Sequence, residues 1–292
     1  MKDFEYHPAA TVDEAVSLLS AHGERARILA GGTDLLVQLR EGMREADLVL
    51  DVKKISELAR LDYAPATGLT LGSTTPCYQI YNDKTLTAAY SALADAAHII
   101  GGWQIQSRAS IGGNLCNSSP AADSIPALIC LGAIAHIAGP DGRRQVPVSE
   151  FCTGPGKNAL KRGELLVALQ FPASAKHSGS HYRRFIPRNE MDIAVVGVGS
   201  WVRLNAAGDK IEEARIALGA VAPTPLLATE AAASLVGKAP TEANFTAAGE
   251  LARKIAKPIS DMRGPAEYRV HLVGVLVQRT LAEAVTRAKK NV

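Results

Sequence analysis

The sequence predicts an α+β chain built as three successive blocks. Three observations carry that reading. Short apolar strands alternate with helical stretches at the N-terminus. A middle block wraps strands and helices around a glycine-rich stretch, Ala109–Leu128. The last block runs strands first and helices later. The boundaries fall at 1–60, 61–175 and 176–292.

In the first block, Thr11 followed by Glu14 is a capping box, and "TVDEAVSLLSAHG" reads as a helix closed by Gly23. "RARILA" is a short buried strand, broken by "GGT". "DLLVQLREG" has helical spacing, with Leu35, Leu36 and Leu39 on one side, and "ADLVLDV" is a second strand. A strand–helix–strand unit of this length is most simply parallel.

The second block begins near Leu61. "GLTLGSTTP" reads as a strand and "TLTAAYSALADAAHII" as one amphipathic helix capped by Thr85 or Thr87. "SIGGN" (Ser110–Asn114) has a β-like apolar start, "SIPALICLGA" is a buried helix, and "AIAHIAG" and "GELLVALQFP" are strands. "PDGR" is a turn, and "ASAKHSGS" is the most linker-like segment. In the third block "HYRRFIP", "DIAVVGVGSWVRLN" and "KIEEARIALGAV" are strand-like, with "NAAGD" as a hairpin turn. Three helices follow, one in "TEAAASLVGK", one from Thr241 and one from near Pro265.

Composition narrows the function classes. Of 292 residues, 47% are apolar and 21% charged, as in an ordinary globular protein, and the net charge of +3 carries no nucleic-acid footprint. No window has the apolar length of a transmembrane helix, and the N-terminus lacks a signal-peptide pattern. Cys77, Cys116, Cys130 and Cys152 lie far apart with no Cys-x-x-Cys. No zinc or iron–sulfur site is therefore readable, and a cytoplasmic, reduced chain is expected. The seven histidines have no partner at metal or triad spacing and read as surface or packing residues.

Two glycine turns stand out. "ILAGGTDLL" (Ile28–Leu36) places Gly31 and Gly32 between a strand and a helix start. Glycine bares the backbone there, and helix-start N–H groups favour an anion. The same pattern also makes a tight turn with no ligand. "SIGGNLCNSS" repeats the glycine pair beside Asn114, Asn117 and Ser118, either as a polar ligand site or as an Asx-rich loop. Asp123 would cap a helix or face ribose hydroxyls, because a carboxylate repels a pyrophosphate. Trp103 would flank an aromatic ring or pack half-buried. Together the two turns suit the two phosphates of a dinucleotide, although neither Gly-x-Gly-x-x-Gly nor a phosphate-loop motif is present. On that reading, Gly112→Val or Gly32→Val is expected to empty the site with the fold intact.

"AGGTDLL", then "QSRASIGGNLCNSSPAADSIPAL", then "RNEMDIAVVGVG" resemble, in order and spacing and over nearly the whole chain, the FAD-binding medium subunit of molybdenum hydroxylases, the xanthine dehydrogenase and carbon monoxide dehydrogenase group. The resemblance implies a two-subdomain FAD-binding fold of the vanillyl-alcohol-oxidase (PCMH) type plus a C-terminal α+β domain with a three-stranded sheet and helices. It implies a first FAD segment at Leu29, Ala30, Gly31, Gly32, Thr33, Asp34, Leu35 and Leu36. A second falls on Ser110, Ile111, Gly112, Gly113 and Asn114, followed by Asn117 and Asp123. Ile100 matches a hydrophobic position beside the flavin, Leu166 a residue packed on the isoalloxazine, and Arg184 a position usually held by lysine near the flavin's polar edge. Arginine keeps the charge and changes the reach.

The same resemblance implies an electron-transfer subunit with no catalytic acid/base or metal residues of its own. Molybdenum cofactor would sit on a large partner and two [2Fe-2S] clusters on a small one, in a dimer of heterotrimers. FAD would pass electrons to NAD, a quinone or oxygen. Two other readings are a self-contained FAD-dependent oxidase or dehydrogenase, and a non-catalytic dinucleotide-binding assembly protein.

Overall fold

Leu48, Val49, Leu50 and Asp51 are all buried, which makes this strand the centre of the first layer. The computed structural model describes residues 2–188 and 191–291; Asn189 and Glu190 of "RNEMDI" lie outside the described residues. In chain order come β1 (Glu5–Pro8), α1 (Val12–His22), β2 (Ala26–Leu29), α2 (Leu35–Arg40) and β3 (Leu48–Asp51). The sheet order is β1-β3-β2, with both pairs parallel, as the strand–helix–strand spacing predicts. Thr11 caps α1 by accepting from the Glu14 N–H, and Gly23 closes it at φ 55°.

The middle layer holds β4 (Leu61–Ala64) and β5 (Gly68–Gly72), then α3 (Cys77–Asn82), α4 (Lys84–Ala89), α5 (Ser91–Ile99), α6 (Trp103–Gln106), α7 (Ile111–Asn117) and α8 (Ser124–Cys130). It continues with β6 (Ile134–Gly139), β7 (Gly142–Pro147), α9 (Val148–Phe151), the small pair β8 (Cys152–Gly154) and β9 (Lys157–Asn158), and β10 (Leu165–Phe171). The main sheet runs β4-β5-β10-β6-β7, all pairs antiparallel.

Two expectations fail here for local reasons. The stretch 85–100 is two helices, α4 and α5, because Tyr90 leaves helical geometry at φ −129°, ψ 56°. Tyr90 turns into the core, and its hydroxyl donates to Pro172 O at 2.8 Å. The cap of α4 is Asp83, which accepts from the N–H groups of Thr85 and Leu86, and neither threonine serves. The "SIGGN" stretch is the start of helix α7, with Ser110 as its N-cap accepting from Gly113 N. Its two glycines suppress helix propensity in isolation, and packing overrides that.

The C-terminal layer is β11 (Ser178–Phe185), β12 (Val196–Leu204), β13 (Ile211–Gly219) and the two-residue β14 (Leu226–Leu227). They lie in that order, so the three expected strands gain a fourth. α10 (Thr229–Ala233), α11 (Glu242–Ile255) and α12 (Ala266–Ala288) follow and cover the sheet with a core of Val198, Val202, Phe245, Leu276 and Leu281. No helix among the described residues is long and apolar enough to cross a membrane.

α8 joins the layers. All seven of its residues are buried. Gly199 and Gly219 of the C-terminal sheet face its Pro126, Arg215 Nε donates to Cys130 O at 2.7 Å, and Ala220 N donates to Pro120 O at 2.7 Å. A second clamp centres on Asp95 of α5. Its carboxylate takes Arg287 Nη1 of α12 at 2.7 Å, His181 Nδ1 of β11 at 2.6 Å and the Tyr182 N–H at 3.1 Å. The sequence separates these groups by up to 192 positions.

Candidate functional site: a cleft between two glycine turns

A cleft of about 210 Å³ opens between the β2–α2 turn and the start of α7. Thirteen of the residues expected from sequence line it: Ala30, Gly31, Gly32, Thr33, Asp34, Leu35, Ile100, Ser110, Gly112, Gly113, Asn114, Asn117 and Leu166. Leu29, Leu36 and Ile111 flank it without lining it.

Each glycine has its own physical reason. Gly32 sits at φ +76°, a left-handed conformation that penalises other residues. A Cβ on Gly31 would lie 2.2 Å from Arg108 O, so the first turn rests directly on the backbone that leads into the second. Arg108 Nε adds a bond to Gly31 O at 3.3 Å. A Cβ on Gly112 would meet Ser73 O at 2.5 Å. Gly113 is the least confined of the four, since its Cβ would meet only Ser110 Oγ, though closely, at 3.0 Å.

The polar groups of the cleft are mostly hydrogen-bond donors of the first turn. The N–H groups of Gly31, Gly32, Thr33 and Asp34 donate to no backbone carbonyl among the described residues. Four successive donors left open to the cleft and to solvent match the acceptor oxygens of a phosphate. Asn114 Oδ1 is already used, accepting from Ser124 Oγ at 2.6 Å and Ser124 N at 3.3 Å, so Asn114 caps α8 while lining the cleft. Gln38 Nε2 donates to Asn117 Oδ1 at 3.2 Å and ties α2 to α7. Burial pushes the Cys116 thiol up to about 12, so it stands in the cleft as a neutral packing group.

Asp123 and Arg184 lie outside the cleft lining and meet each other. Arg184 Nη1 is 2.5 Å from Asp123 Oδ2, and the Tyr182 hydroxyl donates to Asp123 Oδ1 at 3.0 Å. Asp123 makes no cap bond to α8. Arg184 lines a second hollow of about 610 Å³, which Ile99 and Gly101, the chain neighbours of Ile100, also line. Trp103 stands on the edge of that hollow at 77% exposure, which removes the half-buried packing reading. The histidines are not all bystanders, since His181 belongs to the Asp95 clamp.

Burial raises the Asp123 carboxyl to about 6, against the opposing pull of Arg184 and Tyr182. Because this lies above the roughly 3.9 of a free aspartate, the folded chain holds more protons there than the unfolded chain between those values. The contribution of this carboxyl to stability is therefore complete below about pH 4 and lost as pH rises through about 6. Urea titrations should show wild type losing stability relative to Asp123→Asn between pH 4 and pH 7. Parallel pH profiles of the two proteins would contradict the assignment.

Sequence reasoning missed several lining residues. Gln38 lies one helical turn after Asp34, a spacing that could have found it. Ser73 and Thr74 sit in "GSTT", a small polar cluster after a strand, much like the clusters that drew attention elsewhere. Arg44, Cys116 and Leu160 carried no local signal, because they reach the cleft only through the packing of the two layers.

A turn with unpaired amides facing a second glycine turn, between a parallel α/β layer and an antiparallel sheet, defines an FAD-binding flavoprotein domain. The comparisons with known proteins agree. The family described as the FAD binding domain in molybdopterin dehydrogenase matches residues 2–174, and the CO dehydrogenase flavoprotein C-terminal domain matches 180–284. The chain belongs to this family of molybdenum hydroxylase FAD-binding subunits. It is 35% identical over 290 residues to the xanthine dehydrogenase FAD-binding subunit of Escherichia coli O157:H7, covering 99% of this chain and 98% of that one. It is 34% identical over 287 residues to the carbon monoxide dehydrogenase medium chain of Afipia carboxidovorans, covering 98% of each. The carbon monoxide dehydrogenase structure from Hydrogenophaga pseudoflava superposes with a TM-score of 0.93 at 33% identity, over 98% of each chain.

Proposed function

We propose that this subunit relays electrons between [2Fe-2S] clusters on a small partner and an acceptor such as NAD, a quinone or oxygen. A large molybdenum-cofactor partner would carry out the substrate chemistry. The observation that carries the reading is the cleft itself. Its row of unpaired amides suits a diphosphate, yet Asp34, Arg44 and Cys116 are the only ionisable side chains lining it among the described residues. A self-contained oxidase needs an acid/base placed beside the flavin. Here Cys116 is neutral, and Asp34 and Arg44 border the turn that would hold phosphates.

Bound FAD supplies exchange of one and two electrons. The chain's own residues hold and orient it. The N–H groups of Gly31–Asp34 would hold the diphosphate, with Gly113 beside it, and Leu166 and Ile100 would offer the ring apolar contact. Arg184 lines the second hollow with its charge offset by Asp123. Assembly is a dimer of heterotrimers, in the cytoplasm, a compartment consistent with the four free thiols.

Purified chain should hold FAD that acid releases, be reducible by dithionite, and oxidise no purine, aldehyde, N-heterocycle or carbon monoxide by itself. Turnover should appear only when the molybdenum and iron–sulfur chains are added. FMN in place of FAD, flavin that stays with the denatured chain, or substrate turnover by the homogeneous chain would each overturn the reading.

A further inference from the structure

Asn114 and Asn117 stand three positions apart on α7, so they share one face of the helix, and both line the cleft. An asparagine amide carries an acceptor on one side and two donors on the other. What it offers a ligand depends on which side is already occupied. In both residues the carbonyl side is occupied. Asn114 Oδ1 accepts from Ser124 Oγ at 2.6 Å and from Ser124 N at 3.3 Å. A main-chain N–H can only donate, so the carbonyl of Asn114, and not its NH2, must face α8. Asn117 Oδ1 accepts from Gln38 Nε2 at 3.2 Å. Neither Nδ2 group donates to a protein acceptor among the described residues.

The two occupying groups come from outside α7, and each is seated by its own element. Ser124 opens α8 and is fully buried. Gln38 belongs to α2, in the layer that carries the first glycine turn. Its N–H donates to Asp34 O at 2.9 Å, and its carbonyl accepts from Met43 N at 2.9 Å and Arg44 N at 3.2 Å. Those backbone bonds hold Gln38 in place, and Gln38 in turn holds Asn117.

We propose that Ser124 and Gln38 are positioning residues for the cofactor. By occupying the carbonyls of Asn114 and Asn117, they leave both NH2 groups to the cleft as donors to the acceptor oxygens of FAD. The donors of the first turn then face further donors on α7, and the cleft selects an acceptor-rich group from both walls. The inference deepens the cofactor reading and rests on it, since it takes the cleft as the FAD site.

The test is the FAD affinity of the full-length chain, read by flavin fluorescence during titration. Asn114→Asp is the sharpest variant. A carboxylate accepts the two Ser124 bonds as the amide does, so α8 keeps its start, but it presents a charged acceptor where the NH2 stood. It should melt like wild type when both are flavin-free, and bind FAD more than about a hundredfold more weakly. Gln38→Leu, at a half-buried position, should weaken FAD about tenfold in the wild-type background and have no effect in Asn117→Ala. Ser124→Ala should behave in the same way toward Asn114→Ala. A positioning residue acts only through its asparagine, whereas a general packing role, or direct contact of Gln38 with the cofactor, carries over undiminished. If Asn114→Asp unfolds early, the Gln38 cycle decides by itself. Two results overturn the proposal. One is a folded Asn114→Asp that binds FAD within about threefold of wild type. The other is an effect of Gln38→Leu or Ser124→Ala that persists without its asparagine. Wild-type chain that takes up no FAD would instead refute the cofactor reading, and its own titration reads that outcome separately.

Discussion

Asp95→Ala should lower stability by about 3 kcal/mol and loosen the C-terminal layer from the rest of the chain. The carboxylate joins three elements at once. It holds Arg287 of α12, His181 of β11 and the Tyr182 amide of the same strand. The side chains of Asp95 and Arg287 are 23% and 26% exposed, so the expected loss sits at the lower end of the range of about 3–5 kcal/mol for breaking a buried pair. Arg287 retains Glu283 and Ser180 O, and its residual contacts blunt the loss further. Burial raises the Asp95 carboxyl, and the bonds from His181 and Arg287 outweigh that, leaving it below the ordinary aspartate value. Its stabilising effect is therefore present at neutral pH and fades only as acid passes below the usual carboxylate range. Calorimetry should show the difference between wild type and Asp95→Ala at pH 7 and its shrinkage toward pH 3. A variant melting within about 2 °C of wild type at pH 7, where a loss of this size should move Tm by roughly 5–10 °C, would remove Asp95 from its clamping role.

The second large effect concerns Gly112. The expectation that Gly112→Val empties the site and spares the fold does not survive the geometry. The first added carbon would lie 2.5 Å from Ser73 O and 2.6 Å from Ser73 Cα. Ser73 is held in turn by its N–H on Val167 O at 3.0 Å, so neither side yields cheaply. α7 must lift away from the sheet, taking Ser110, Gly113, Asn114 and Asn117 out of position. Gly112→Val should lose nearly all bound FAD and about 1–3 kcal/mol of stability as well. Gly113→Leu is the cleaner probe. Gly113 lines the cleft, and its first added carbon would meet only Ser110 Oγ, a side-chain atom, at 3.0 Å. The variant should lose FAD while melting like flavin-stripped wild type, the proper comparison because a bound ligand itself stabilises the fold. Retained flavin at full affinity in Gly113→Leu would remove the diphosphate from this turn.

Much of the molecule was legible in the residues alone, for reasons that can be named. The helix from Thr11 to Gly23, the parallel pair around "GGT" and the long C-terminal helix are local patterns. They depend on capping chemistry, apolar period and turn residues within a few positions. The two glycine turns were visible because glycine pairs between apolar runs have few uses, and their matching family pattern extends the length of the chain.

Other features depend on what meets what. Nothing near Gly31 announces Arg108 O, and nothing near Gly112 announces Ser73; these contacts exist only once the two layers close. The break at Tyr90 follows from its burial beneath Pro172, which overrides an unbroken helical pattern. Asp123 finds Arg184 and Tyr182 about sixty positions away, and Asp95 finds Arg287 across 192. The sequence determined by itself most of the helices and strands and where the two glycine turns lie, because those depend on short-range sterics and periodicity. The tertiary structure alone decided which carboxylates are clamps and which glycines are spacers, because burial and ion pairing are properties of distance in space.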